Sequence, residues 1–240
     1  MDAAPNMTDI RVFSGGAPQA VLRSLAPEFE KATGYWIIFT FDLVTAIQRR
    51  LTAGEKADVT LLPIPLLTAT EKILPFSKVG RRELAKVGVG VIVHEGGELP
   101  DISTADALRR ALLDARSVAF PDQSTPSGSY LSRMLTQLGI ADAMQDKIIY
   151  TSAISGGGKL VANGEADLGL YLVSEVQAIK GVSVVGMLPP ALQTFVVYGT
   201  AIPAYNAAPE AALAFIKFLT ESEKWEQWKA AGFELVGDGS

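Results

Sequence analysis

A turn that joins a helix to a buried strand occurs twice in this sequence, once in each half. The first copy, residues 53–58, leads into the apolar residues 59–62, and the second, residues 163–167, leads into residues 168–172. Each copy ends an apolar-periodic helix at a glycine, which adopts the left-handed C-cap conformation without steric cost. The repeat predicts two similar α/β lobes, and a cleft between two lobes is a natural position for a small ligand. Chance similarity of two short turns is the alternative interpretation.

The composition excludes several classes of function. The 240 residues carry a formal net charge of −5, which offers no electrostatic footprint for nucleic acid or an anionic membrane. No apolar run reaches the roughly 18 residues of a membrane span, so membrane insertion is not predicted. The absence of cysteine and the single histidine, His94, exclude thiolate metal sites and most serine–histidine nucleophilic machinery. We therefore predict no metal and no cofactor.

Strand and helix signals alternate along the chain in a way that favours parallel sheets. Between residues 10 and 62, strand, helix, strand, helix and strand follow one another at the spacing of right-handed crossovers. The apolar segments 84–93 and 195–202 are interpreted as two hinge crossovers. We predict an α/β protein with two Rossmann-like lobes and a central cleft. Lobe 1 comprises residues 1–90 and 196–240, and lobe 2 comprises residues 91–195.

Four predicted turns follow strands and precede helices, where ligands bind in open parallel sheets. They offer small or hydroxyl side chains and backbone N–H groups near positive helix ends, which favours a carboxylate or an oxyanion. Ordinary strand-to-helix turn chemistry explains any one of them alone. The segment 156–159 lacks the spacing and the hydroxyl of a phosphate-binding P-loop, so nucleotide hydrolysis is disfavoured. The four turns are residues 14–17, 42–45, 123–130 and 155–158.

The order of several short motifs resembles that of a known family along almost the whole chain. The chain is similar to type II periplasmic solute-binding proteins of the molybdate-binding-like superfamily. The resemblance implies two lobes joined by two crossover segments, with the ligand enclosed between them. Besides the repeated turns, the motifs are residues 13–17, 125–128, 174–176, 188–193 and 232–233.

Three positions depart from the pattern of the molybdate-binding members, which have hydroxyl groups there. This chain has Ala17 after the first turn, only Thr45 in the second, and Leu172 where a tyrosine is expected. Tyr171 is shifted by one residue, which points to the opposite face of a strand. Losing two or three hydrogen bonds to a buried dianion, at roughly 1.5–3 kcal/mol each, disfavours molybdate. Aliphatic residues at Ala17, Val44 and Leu172 instead favour a small organic anion.

One branch of the superfamily resembles aconitate isomerase, an enzyme that shifts a double bond by proton transfer without a cofactor. Such a transfer needs a carboxylate, tyrosine, lysine or hydroxyl whose pKa is adjusted by burial. Asp42, Tyr171, Glu175 and Lys159 are candidates, and surface solvation or structural capping is an alternative for each. Tyr171 and Asp42 are the predicted proton-transfer residues. His94 is interpreted as a solvated residue at a strand end.

Location and assembly follow from weaker signals. Residues 1–8 lack the positive region and the apolar run of a signal peptide. Together with the absence of cysteine and the resemblance, this favours the mature form of a periplasmic protein. A monomer is expected.

Two functions remain open. The first is a cofactor-independent isomerase of a small unsaturated tricarboxylate, which would interconvert cis- and trans-aconitate. The second is a periplasmic receptor that delivers a small organic anion or oxyanion to an ABC permease. A ligand-sensing module is disfavoured because no DNA-binding or signalling segment is attached. In either case the predicted ligand-binding residues are Ser14, Gly15, Gly16, Thr45, Ser127, Gly128, Ser129, Ser155 and Gly156.

Overall fold

The structure, a computed structural model, describes residues 9–206 and 209–236. The signal-peptide interpretation concerns residues 1–8, which lie outside the described residues. Within the described ranges the chain forms ten strands, ten α-helices and short 3-10 turns at Pro190–Leu192 and Ser222–Lys224. The strands are β1 (Asp9–Ser14), β2 (Trp36–Phe41), β3 (Val59–Pro63), β4 (Arg82–His94), β5 (Val118–Pro121), β6 (Ile148–Thr151), β7 (Leu168–Leu172), β8 (Val182–Met187), β9 (Phe195–Ala201) and β10 (Phe233–Leu235). The helices are α1 (Gln19–Thr33), α2 (Val44–Thr52), α3 (Ile64–Glu71), α4 (Ala105–Asp114), α5 (Pro126–Gln137), α6 (Ala141–Met144), α7 (Gly156–Ala162), α8 (Val173–Val176), α9 (Pro209–Leu219) and α10 (Trp225–Ala230).

The chain separates into two compact units. The first unit contains the described residues up to Ala85 and those from Val197 onward, and the second unit is Lys86–Val196. The chain therefore leaves the first unit within β4 and returns to it within β9. The sequence predicts the changes at residues 90/91 and 195/196, close to these two positions.

The sheet of the first unit has the strand order β2–β1–β3–β9. β1 pairs in parallel with β2 and β3, and β3 pairs antiparallel with β9. Helix α1 buries the apolar face that its periodicity predicts, including Phe29. The Phe29 ring packs against Phe215 and Phe218 of α9, at centroid distances of 5.1 and 5.3 Å.

The sheet of the second unit repeats this pattern in the order β6–β5–β7–β4. β5 pairs in parallel with β6 and β7, β7 pairs antiparallel with β4, and β8 also pairs antiparallel with β4. The core of this unit includes Ile92, Ala119, Val161, Tyr171 and Val176. Tyr171 is therefore a packed core residue as well as a predicted proton-transfer residue.

The repeated helix-to-strand turn makes the same hydrogen bonds in both units. Gly54 and Gly164 have positive φ angles of 93° and 72°. The Gly54 N–H donates to Leu51 and the following N–H donates to Arg50, both at 3.0 Å. At the end of α7 the Gly164 N–H donates to Val161 at 3.0 Å and the following N–H donates to Leu160 at 2.8 Å. These paired bonds define the Schellman motif, so the predicted left-handed glycine caps are confirmed.

An aspartate ends each repeated turn and binds the neighbouring chain segment. Asp58 accepts the N–H of Arg11 and Asp167 accepts the N–H of Arg116, each at 2.8 Å. The Arg116 guanidinium also binds both Asp167 oxygens, at 3.1 and 2.7 Å, and lowers the pKa of that carboxyl. In each unit an aspartate therefore connects two parallel strands. Asp58, just before β3, binds β1, and Asp167, just before β7, binds the residue pair that leads into β5.

Two helices begin earlier than the sequence predicts. α5 starts at Pro126, inside the predicted turn 123–130, because the Thr125 Oγ1 caps it by accepting the N–H of Gly128 at 3.1 Å. α7 starts at Gly156, inside the predicted turn, so its tertiary packing overrides the low helix propensity of three glycines. The first turns of these helices contain the predicted ligand-binding residues Ser127, Gly128, Ser129 and Gly156.

Candidate anion-binding turns of the two units

The first turn of the first unit follows β1 and is tightly packed. Ser14 is buried, and its Oγ donates to the carbonyl of Gly15 at 3.0 Å. The Gly15 N–H donates to Leu61 at 3.2 Å. By contrast, the N–H groups of Gly16 and Ala17 have no hydrogen-bond partner among the described residues. These two amides, just before α1, are therefore available to an anion.

The second turn of the first unit follows β2 and contains Asp42 and Thr45. The Asp42 Oδ1 accepts the N–H of Leu43 at 2.8 Å, and its Oδ2 lies 3.9 Å from the Arg50 Nη1. Arg50 also makes two hydrogen bonds to Glu55, at 2.7 and 2.6 Å. The Asp42 carboxylate thus caps its own turn beside a guanidinium. The half-buried Thr45 hydroxyl has no partner within the described chain.

Close packing joins these two turns of the first unit. A Cβ atom added to Gly15 would lie 2.5 Å from the Val44 Cγ1 and 3.1 Å from the Tyr198 Oη. A side chain at this position would displace Val44 or Tyr198, so glycine allows the closest approach of the Ser14 turn to the start of α2. The predicted residues Ser14, Gly15, Gly16 and Thr45 are therefore brought together.

The first turn of the second unit follows β5. Thr125 Oγ1 donates to the Asp122 carbonyl at 2.7 Å and lies 3.4 Å from the Ser127 Oγ. A Cβ at Gly128 would overlap the carbonyl oxygen of Asp122, so glycine is required there. Ser129 accepts a hydrogen bond from Arg133 at 2.7 Å. Ser127, which is buried with only this hydroxyl contact, is the side chain of the turn best able to bind an anion.

The second turn of the second unit follows β6. Ser155 has a left-handed conformation with φ 59°, the only non-glycine residue with positive φ among those described. Its Oγ donates to the backbone carbonyl of Glu175 at 3.2 Å. Below the turn, the Tyr171 hydroxyl lies 2.9 Å from the Thr151 Oγ1, and burial raises the pKa of the Tyr171 phenol. A Cβ at Gly157 would overlap that hydroxyl, so the turn rests directly on Tyr171.

The segment after β7 adds two polar residues that the predicted ligand-binding set does not include. The Ser174 Oγ is buried without a hydrogen-bond partner in the described chain. Glu175 is half-buried, and removal of its carboxyl from water raises its pKa to about 7. The usable sequence signal is a Ser-Glu pair one residue beyond the end of an apolar strand, and Glu175 is already among the predicted proton-transfer candidates. Lys159 and His94, by comparison, are exposed.

The hydrogen bonds of the second unit bring its two turns together as well. The Asp122 N–H donates to the Thr151 carbonyl at 2.9 Å, which joins the ends of β5 and β6. Ser155 in turn contacts the backbone after β7. Ser127, Gly128, Ser129, Ser155 and Gly156 therefore lie along the carboxyl ends of three adjacent strands, the position at which open α/β sheets bind ligands.

Comparisons with known proteins agree with this architecture. A sequence profile described as bacterial extracellular solute-binding protein matches residues 10–234. The chain belongs to this family. It is 32% identical to an aconitate isomerase from Pseudomonas sp, over 98% of this chain and 90% of that protein. It is also 25% identical to the molybdate-binding protein ModA of Escherichia coli strain K12, over 94% of this chain and 89% of ModA.

The fold has the same relatives. The periplasmic molybdate-binding protein of Azotobacter vinelandii superposes with a TM-score of 0.79, at 18% identity, and covers 95% of this chain and 99% of that one. The predicted type II periplasmic-binding-protein fold and α/β class are therefore confirmed. Over the described residues, no group of three or more histidine, cysteine, aspartate or glutamate side chains could hold a metal ion. None of the described helices is long and apolar enough to cross a membrane.

Proposed function

We propose that the protein is a cofactor-independent isomerase that interconverts cis- and trans-aconitate or a closely similar unsaturated tricarboxylate. The observation that carries the proposal is the 32% identity to an aconitate isomerase over nearly the whole chain. The residues of the candidate turns support it, because they combine partnerless amides with apolar side chains. An organic polycarboxylate needs both kinds of contact, whereas an inorganic oxyanion needs only the polar ones.

In this proposal the carboxylates bind backbone amides and hydroxyl groups. The free N–H groups of Gly16 and Ala17 lie just before α1, where the helix dipole favours negative charge. Thr45 and Ser127 offer hydroxyl groups at the starts of α2 and α5. Ala17 and Val44 offer apolar contact to the carbon skeleton. Gly15, Gly128, Ser129, Ser155 and Gly156 complete the proposed ligand-binding set.

The proposed reaction is a 1,3 proton shift. A base removes a proton from the methylene carbon of aconitate, and the C–H electron pair becomes a new double bond to the central carbon. The former double-bond pair takes a proton on the other arm. The product is again aconitate, now with the opposite geometry available at its double bond. Atoms and electrons balance with one proton moved, so no oxidant or coenzyme is required.

The second candidate function is a transport receptor, favoured by the membership of the bacterial extracellular solute-binding protein family. Such a receptor would bind the same small organic anion and deliver it to an ABC permease without chemical change. Either function suits a periplasmic protein, which we infer from the relatives. A monomer stays a prediction.

Proton NMR of the protein with cis-aconitate in deuterated buffer distinguishes the two functions. We expect trans-aconitate to appear at a catalytic rate. Thr45→Val and Ser127→Ala each remove one proposed hydrogen bond, so each should weaken aconitate binding about tenfold, equivalent to roughly 1.4 kcal/mol. Ser132→Ala, one turn further along α5, is the control and should leave affinity unchanged.

The alternative results are equally specific. Tight binding of aconitate without turnover would support the receptor function and contradict the isomerase function. Failure to bind any carboxylate, with a thermal shift produced by molybdate instead, would contradict the proposed ligand class.

A further inference from the structure

A group of polar residues lies at the carboxyl ends of β6 and β7 in the second unit. Thr151 ends β6, Ser155 directly precedes α7, Tyr171 lies within β7 and Glu175 lies in α8. Two contacts join them: the Tyr171 hydroxyl to Thr151 at 2.9 Å and the Ser155 Oγ to the Glu175 carbonyl at 3.2 Å. The Glu175 carboxyl also acts electrostatically on the Tyr171 phenol. We call these four residues the β6–β7 cluster.

Glu175 is the acidic member of the β6–β7 cluster, and its carboxyl has no partner. Within the described chain it forms no ion pair and no side-chain hydrogen bond, and desolvation is the cause of its raised pKa of about 7. Helix α8 packs against β7 and β8. Tyr171 is the only ionisable residue in those two strands, and Lys159 of the adjacent α7 is exposed. A carboxyl in this setting exchanges protons near neutral pH.

The two proton-transfer residues predicted from sequence are less suited to the step. Burial raises the pKa of the Tyr171 phenol, so at neutral pH it keeps its proton and cannot act as a base. Its hydroxyl is also engaged with Thr151. The Asp42 carboxylate accepts the N–H of Leu43 and faces Arg50, which fixes it as a capping group. The Tyr171 hydroxyl is therefore occupied and protonated, and the Asp42 carboxylate is held by the contacts of its own turn.

We propose that Glu175 is the residue that moves the allylic proton, beside the anion-binding turn at Ser155. This inference rests on the proposed isomerase function and names its proton carrier. In this proposal a carboxylate of aconitate binds at the Ser155 turn, which contacts the backbone of Glu175, and the methylene carbon faces the Glu175 carboxyl. The buried Ser174 hydroxyl, unpartnered and adjacent in sequence, is a further group available to the same ligand.

The proposed step uses one carboxyl group for both transfers. The Glu175 carboxylate takes a proton from the methylene carbon, whose C–H bond breaks while its electron pair forms the new double bond. The protonated Glu175 then gives that proton to the carbon at the far end of the former double bond, where a C–H bond forms. Glu175 ends as a carboxylate, so the cycle closes without another reactant.

The test compares four single substitutions in the full-length protein by aconitate turnover and by calorimetric binding. Glu175→Gln should lower kcat by about 10²–10⁴-fold, the usual contribution of a general acid–base, while aconitate affinity changes less than about threefold. Glu175→Asp should retain partial activity with a displaced pH profile. Tyr171→Phe should keep most of the turnover, because in this proposal the phenol does not transfer the proton. The control Glu165→Gln alters an exposed carboxylate of the helix cap and should behave like wild type.

The pH profile separates a proton carrier from a structural residue. In the wild type, kcat/KM should rise as Glu175 ionises near pH 7, and Glu175→Asp should move that limb. Full turnover by Glu175→Gln would overturn the inference while leaving the isomerase in place. Loss of turnover in Tyr171→Phe with normal turnover in Glu175→Gln would assign the step to the phenol. A wild type without any turnover would overturn both the inference and the proposed function.

Discussion

The two units are built on the same sheet order, yet the segment that follows the third strand differs between them. β3 and β7 are both fully buried strands of five residues, each preceded by an aspartate. When Val59 is matched to Leu168, Leu62 corresponds to Tyr171 and Leu66 to Glu175. The first unit is therefore apolar where the second carries a phenol and a carboxyl.

This difference indicates a division of roles. Both units have a Schellman cap before β3 or β7. Both also have an aspartate after that cap which accepts a backbone N–H of the neighbouring parallel segment. Both present amides or hydroxyl groups at strand ends. At the end of the third strand of the second unit, the partnerless carboxyl of Glu175 has a pKa raised by burial to about 7. Binding groups are thus shared between the units, while the proposed chemistry is confined to one.

Glycine substitutions in the two first turns should have unequal effects, and the larger one should be in the second unit. In Gly128→Ala the new Cβ would overlap the backbone oxygen of Asp122, and backbone cannot move aside easily. We expect a loss of about 3 kcal/mol or more in the free energy of unfolding, at the upper end of overpacking effects. In Gly15→Ala the Cβ meets the side chains of Val44 and Tyr198, which can shift, so a loss of about 1–2 kcal/mol is expected. Urea denaturation measures both, and equal losses would show that the two turns are equally rigid.

The pH dependence of stability should reveal Glu175. Its pKa in the folded state is raised to about 7, from the model-peptide value of 4.5. Because the folded state disfavours ionisation, its contribution to stability is full below the unfolded pKa and is lost as pH rises through 7. The shift corresponds to about 3 kcal/mol.

Urea unfolding at pH 4 and pH 9 tests this expectation. From pH 4 to pH 9 the wild type should lose about 3 kcal/mol of stability that Glu175→Gln does not lose. The free energy of unfolding of the variant minus that of the wild type should therefore rise by this amount. Leu66→Gln, at the equivalent position of the first unit, is the matched control and should change stability without this pH dependence. If the free energies of unfolding of wild type and Glu175→Gln change in parallel with pH, the Glu175 carboxyl is solvated.

The smallest effects are expected at the repeated caps, where the two units should be equal. A Cβ at Gly54 or at Gly164 would meet nothing within 4 Å, so the cost of alanine comes from the left-handed backbone alone. Each substitution should lower the free energy of unfolding by about 1–2 kcal/mol. Differential scanning calorimetry of Gly54→Ala and Gly164→Ala should give matching shifts. Clearly different shifts would mean that the two caps are not equivalent.

Most of the fold follows from local patterns in the sequence. The periodicity of residues 36–41, 148–151 and 168–172 predicts β2, β6 and β7 with their observed bounds. Apolar spacing also predicts α9 correctly. The pattern does not predict α3, α8 or β8. The first two are short helices that begin directly after a buried strand without a side-chain cap, so they leave little local signal.

The candidate site was less accessible to sequence reasoning than the fold. The hydroxyl and glycine residues of the turns can be recognised from their position after strands. Whether a hydroxyl of these turns is free is not visible in the sequence: the Ser14 Oγ donates to the Gly15 carbonyl, whereas the Thr45 hydroxyl has no partner within the described chain. Tyr171 illustrates the difficulty, because strand alternation predicts its face but not its contact with Thr151.

The sequence by itself determined the two-unit α/β plan, because glycine caps, apolar periods and strand-to-helix turns act over a few residues. It also excluded thiolate metal sites, because the chain has no cysteine, and most serine–histidine machinery, because it has a single histidine. Only the tertiary structure decided which polar groups are satisfied and which are left free. Burial and hydrogen bonding arise between segments far apart in the chain, and it is burial, not residue type, that brings Glu175 to a pKa near 7.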